Sequence, residues 1–272
     1  MDRRRFLAAL GTVTAVGTAG CTDSGTDRPF ADAEWREGDE LALDTLAESH
    51  VETLVDAGGV TLFSTAETSH DGDEEPAPWL PTQEYESGYD LTNGRWYVRQ
   101  ELTQTEETDV SELYIAEGEA LIRQVIGEET QYDRQSVDRS ADRLTEAMRS
   151  EALTGIRVEG ETANGAAEYE GLNRWNMASD GGSEVRGDRT ARFTADAFDG
   201  DRTIPESIET ASATLHVFES GVVPRLEQSW EGKHDGRTAT VDVGIDYRDP
   251  GAEIPEPDWA ADARNARDTA NK

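Results

Sequence analysis

The sequence predicts an α+β fold: one large, strongly curved antiparallel sheet with two helices lying against one face. Three observations carry that prediction. Two segments space their apolar residues three and four apart, as a helix with one buried face requires. Several other segments alternate apolar and polar residues, as strands with one wet face do. Turn dipeptides separate those strands at short intervals, which favours hairpins over long crossovers.

The elements follow in order. Leu43, Leu46, Ala47, Val51 and Leu54 place a helix within Glu40–Asp56, stopped by Gly58-Gly59. Strands are expected at Val60–Thr68, Arg95–Thr103, Glu112–Ala116, Ala120–Ile126 and Glu129–Arg134. Val137, Ala141, Leu144, Met148 and Ala152 give a second helix, closed at Gly155. Asn164-Gly165 then marks a hairpin between Ile156–Ala163 and Ala166–Tyr169, because both residues tolerate positive φ. Clear two-residue alternation follows in Ala191–Ala197, Ala211–Val217 and Ala239–Tyr247. Asp235-Gly236 joins Arg225–Trp230 to Arg237–Tyr247, and Glu117-Gly118 and Ser220-Gly221 are weaker turns. Ser69–Pro78, with its Asp71-Gly72-Asp73-Glu74-Glu75 run, reads as a surface loop, and so does polar Gly181-Gly182. Ile254–Trp259 alternates prolines with apolar residues, which suits an extended segment packing Trp259 over the sheet; Ala260–Lys272 reads as a frayed end.

The chain opens on a different pattern. Arg3, Arg4 and Arg5 form a basic start, and Phe6 to Gly20 is uncharged and rich in small and apolar residues. A membrane-spanning helix needs roughly 20 apolar residues, so this run is a signal segment by length. Arg3-Arg4 followed by Phe6-Leu7 resembles the twin-arginine export motif, with Asp2 and Ala8 departing from the usual Ser and Lys. Thr18-Ala19-Gly20-Cys21 resembles a lipobox, with Thr18 where Leu is usual. Cys21 is the only cysteine, which excludes an internal disulfide and leaves it free for lipid attachment. A single acyl chain binds a membrane only marginally, so the lipoprotein resemblance implies a diacyl or dialkyl anchor. The expected organisation is a signal peptide over 1–20, a lipidated cysteine and tether over 21–34, one β-rich domain over 35–260 and a tail over 261–272.

Charge narrows the setting. The net charge is -33, with 58 acidic residues, 25 basic ones and only two lysines, Lys233 and Lys272. Such self-repulsion opposes compaction in dilute buffer, but at about 1 M salt the Debye length falls to roughly 3 Å. An acidic, lysine-poor chain with patterned aromatic segments therefore reads as a halophile's folded protein, and with its signal resembles exported haloarchaeal lipoproteins. Nucleic acid is excluded as a partner for so negative a surface, and anionic lipid head groups are repelled. The lipid on Cys21 is then the hold on the outer face of the cytoplasmic membrane.

The order helix, strands, helix, strands behind a lipobox resembles the LolA-like and LppX-like lipoprotein superfamily. The residues bearing it are the helix with His50 leading into Val60–Thr68, the Trp96-Tyr97-Val98 strand, the final hairpins and Ile254–Trp259. That resemblance implies a half-open barrel with the two helices on its concave face, around a cavity able to hold acyl chains. It carries over no ligand-contacting residue.

The polar residues add little chemistry of their own. The four histidines His50, His70, His216 and His234 fall in four segments and lack zinc-ligand spacing. His50 reads as structural and His216 as exposed, while His70-Asp71 with Asp73 lacks the ordered ligand series of a calcium loop. No Gly-x-Ser-x-Gly elbow, cysteine nucleophile or phosphate loop is present. Trp79, Tyr85, Tyr89, Trp96 and Tyr97 line either a ligand mouth or a core with a loop folded over it, and Trp175 reads as an anchor. The reading is a non-enzymatic surface lipoprotein without cofactor or metal, holding a lipid or other hydrophobic ligand; the alternatives are an accessory lipoprotein binding another surface protein, and a hydrolase. An apolar cavity of about 300 Å³ or more would favour the first, and a packed interior with an exposed apolar patch the second.

Overall fold

The computed structural model describes residues 28–70, 82–104, 107–137, 140–153, 155–156, 171–200, 202 and 204–266. Export-signal residues Arg3, Arg4, Phe6 and Leu7, the lipidation residue Cys21, and the Asn164-Gly165 hairpin lie outside them. Eleven antiparallel strands form one open sheet. In chain order, after a two-residue ribbon of β1 (Arg36–Glu37) and β2 (Glu40–Leu41), they are β3 (Gly59–His70), β4 (Thr82–Asp90), β5 (Arg95–Gln104), β6 (Glu107–Ala116), β7 (Glu119–Ile126) and β8 (Glu129–Ser136). Then come β9 (Ala178–Val185), β10 (Asp188–Ala195), β11 (Ser207–Val217), β12 (Arg225–His234) and β13 (Arg237–Arg248). The spatial order is β8-β7-β6-β5-β4-β3-β13-β12-β11-β10-β9. β3 pairs with β13, so two meanders, one from each half of the chain, join at the centre. This is the half-open, α+β architecture expected.

Helix α1 (Leu43–Asp56) buries Leu46, Ala47, His50, Val51 and Leu54, one stripe at helical spacing. It starts later than expected, because Glu40–Leu41 pairs with Arg36–Glu37 instead. Helix α2 (Ala141–Ala152) starts at Ser140, whose Oγ accepts the Arg143 amide at 3.4 Å, and buries Leu144, Met148 and Ala152. Val137 precedes it and donates its amide to Gly118. Both helices share one core with Val60, Leu62, Phe193, Leu215, Leu226 and Ile245, which defines the inner face of the sheet. Phe30 and Trp35 already belong to that core, and the Trp35 ring lies edge-on to Phe193 at 6.1 Å.

Two expected hairpins close as tight turns with positive φ at both central residues, Glu117-Gly118 (53° and 80°) and Asp235-Gly236 (51° and 78°). Ser220-Gly221 lies inside the longer β11–β12 connection, with Gly221 at φ 86°.

Four expectations need correction. Thr82–Asp90 is a strand of the sheet, not a loop folded over it. Gly181-Gly182 lies within the edge strand β9, where the backbone ladder and not the side chains decides the structure. Ser69 and His70 complete β3, and Asp242 to Ala239 of β13 pair with Glu67 to His70. Ala260 onward does not fray at its start: helix α3 (Ala260–Asn265) buries Ala260 and Ala263 with Trp259, Ile254, Tyr114 and Leu121. Tyr114 and Leu121 alternate away from the inner face, so α3 and the extended 254–259 segment cover the outer one. Gly88 makes room for this crossing, since a Cβ there would stand 2.5 Å from Ile254 Cδ1. No helix among the described residues is long and apolar enough to cross a membrane.

Candidate functional site

Strand register divides the inner face into two unlike halves. Around β3 and β10–β13 it is packed tight. Trp175, Phe198 and Trp230 meet at ring separations of 5.0–5.7 Å, under the same core that takes both helices. His50 belongs here and is structural, as expected. Its Nδ1 accepts the Val223 amide at 3.1 Å, its ring stands edge-on to Tyr247 at 4.5 Å, and burial pulls its pKa down to about 3.

The other half is apolar but not filled. Pairings Trp96↔Ile115↔Ala120 and Val98↔Leu113↔Ile122 lay two successive apolar rows across β5, β6 and β7 on the inner face. Ile115 and Ala120 are buried, whereas Trp96, Val98, Leu113 and Ile122 are only half-buried. Beyond a polar row of Gln100, Ser111 and Gln124, Leu102 is half-buried and Ile126 is 55% exposed. Val98, Leu113 and Ile122 belong to neither packed core.

A buried carboxyl marks the boundary between the halves. Glu151 of α2 accepts hydrogen bonds from the hydroxyls of Tyr85 (2.7 Å), Ser87 (3.2 Å) and Tyr89, all on the inner face of β4. Trp96 stacks on Tyr89 at 5.6 Å and donates its indole N–H to Ser87 at 3.1 Å. Burial pushes the Glu151 pKa up, against the three hydroxyl donors that favour the charged form. All three donors reach the carboxyl from the one strand, so the cluster pins α2 to β4. The sequence carried one sign of it: Glu151 falls on the buried stripe of Leu144, Met148 and Ala152.

The aromatic group proposed as a ligand mouth is therefore split. Tyr85, Tyr89 and Trp96 face inward. Tyr97 faces outward, where its hydroxyl donates to Glu112 at 2.8 Å. Trp79 lies outside the described residues, as do Asp71 and Asp73. Trp175 is a buried anchor, as read.

His216 is buried, not exposed. It sits on the outer face of β11, and its Nδ1 meets the hydroxyls of Ser183 (2.9 Å) and Thr190 (3.3 Å) on β9 and β10. Burial, then Arg225 and Arg192, lower its pKa to about 4. Among the described residues no carboxylate hydrogen-bonds this imidazole, so the pair lacks the group that would orient a base. It ties the edge strands together.

Two recesses open elsewhere. One of 450 Å³ is lined by Asp196, Phe198, Gly200, Arg202, Glu206 and Thr210 among others, with a mostly polar wall. The Arg202 guanidinium beside it lies 3.8 Å above the Trp230 ring. A smaller one of 180 Å³ lies by Leu43, Leu172, Trp175 and Met177. Neither is the apolar cavity between helices and sheet that acyl-chain carriage led us to expect.

No protein-family profile matches the chain, and no curated protein does. Solved structures give distant likenesses. The ywiB protein of Bacillus subtilis is 12% identical over 71% of this chain and 93% of its own, with a TM-score of 0.17. A LolA superfamily protein of Nitrosomonas europaea is 11% identical over 78% and 94%, with a TM-score of 0.18. MucB in complex with MucA(peri) is 11% identical over 78% and 99%, with a TM-score of 0.12. Scores this low establish neither fold nor kinship; the half-open sheet rests on its own strand order.

Proposed function

We propose that this chain is an exported lipoprotein, anchored to the outer face of the cytoplasmic membrane through Cys21, whose half-barrel holds a hydrophobic ligand without covalent chemistry. One observation carries the binding role: the apolar row Val98, Leu113 and Ile122 on the inner face of β5–β7 stays only half-buried and joins neither core, beside a packed half. Apolar surface left in water costs about 25 cal/mol per Å², so a strip of this kind favours an occupant. It lies on the open inner face of the sheet, which suits an acyl chain or flat hydrophobe lying against the strands. The Glu151 cluster closes one side by fixing α2.

The packed half favours a second reading, an accessory lipoprotein that presents the same strip to a surface protein. Titration of a fluorescent fatty acid in high salt tests the choice. Saturable binding, weakened at least ~10-fold in Val98→Asp and Ile122→Asp, supports the ligand reading. No binding by a folded wild-type chain rejects it in favour of the partner. The anchor is tested separately: Cys21→Ser should release the protein into the medium, and a variant that stays with the membrane would remove the lipid attachment from the account.

A further inference from the structure

His70 closes β3 and His234 closes β12, one on each side of β13, where Ala239 pairs with His70 and Arg237 with His234. By strand alternation both side chains fall on the inner face. Their rings are 6.2 Å apart between centroids and tilted by 36°. Both ring nitrogens of His70 and Nδ1 of His234 are buried without a hydrogen-bond partner. Buried polar atoms without a partner are rare in folded chains, so an unpartnered nitrogen on each of two facing rings calls for a ligand. Glu206 supplies the third group: its Oε1 stands 3.6 Å from His234 Nδ1, with Asp235 Oδ2 3.9 Å from Nε2.

We propose that His70, His234 and Glu206 bind a divalent transition metal of the zinc class. The 3.6 Å separation is beyond a hydrogen bond. It is close to the roughly 3.4 Å expected between a nitrogen and an oxygen that share one tetrahedral zinc. Two imidazoles on one zinc stand roughly 5 Å apart between centroids, so the rings close by about 1 Å when the ion binds. As they stand, no three such groups among the described residues are drawn around an ion. Imidazole sets the selectivity: hard cations go to the carboxylates that cover this protein, while zinc, copper and nickel prefer nitrogen. Glu206 also lines the 450 Å³ recess, which gives the ion a path in and leaves room for a water ligand.

Zinc itself is the probe, titrated calorimetrically into the full mature chain in high salt with excess magnesium to occupy the carboxylates. One zinc per chain is expected, with affinity lost in His70→Ala and in His234→Ala and reduced at least ~10-fold in Glu206→Gln. Diethyl pyrocarbonate labelling of the wild type gives a second readout that does not depend on the variants folding: zinc should shield His70 and His234. Absent stoichiometric binding, binding unchanged in both histidine variants, or labelling indifferent to zinc would each overturn the site.

Discussion

Glu151 is where a single residue governs most. Its carboxyl is buried among three hydroxyls, and burial raises its pKa above the ordinary value of 4.5. A group raised on folding holds its proton more firmly in the native state. It therefore stabilises the fold below the unfolded pKa, and that contribution is lost as pH rises through the folded value. Glu151→Gln keeps the shape and removes the titration. The difference in melting temperature, wild type minus variant, should fall as pH is raised from about 4 to about 8. A difference that is flat or rises would contradict the burial of this acid. Little of the cluster was legible beforehand. Gln83, Tyr85, Ser87 and Tyr89 face inward, while Glu84 and Glu86 face outward, so β4 shows polar residues on both faces and no alternation to read. His216 misled for a related reason: polar positions on an outer face are normally wet, yet Ser183 and Thr190 bury this one by hydrogen bonding.

Among the elements, those with one wet face declared themselves. β10, β11 and β13 alternate cleanly, and α1 and α2 show their stripes. β9 did not, because an edge strand of Ser, Asp and Gly owes its conformation to pairing with β10. Nor did α3, whose buried residues are alanines that weigh little in any apolar pattern. The β11–β12 pair carries a sharper constraint. Gly232 lies beside the register shift between Ile208 and Thr210, and a Cβ there would stand 1.7 Å from the Ser207 carbonyl oxygen. The neighbour is backbone and has no rotamer to escape into. Gly232→Ala should cost about 1–3 kcal/mol in chemical denaturation, whereas Gly236→Ala, with open space around its Cβ but φ of 78°, tests turn strain alone. An unchanged midpoint for Gly232→Ala would mean that β11 and β12 are not paired as described.

At the scale of the molecule, a half-open sheet is filled on one side of its centre and carries a half-buried apolar row, Val98, Leu113 and Ile122, on the other. The first half was legible as fold class, because helices and strands with matching apolar faces must meet. The second was not, since the same Val, Leu and Ile residues would have read identically under a third inner helix. The central claim is that this strip holds a hydrophobic molecule, and native mass spectrometry with lipid extraction, on protein purified in high salt, tests it most directly. The account predicts a co-purifying hydrophobic ligand on the wild type that is absent from a folded Val98→Asp, Ile122→Asp double variant. A wild-type chain that flies without ligand, or a ligand retained equally by the variant, would contradict it.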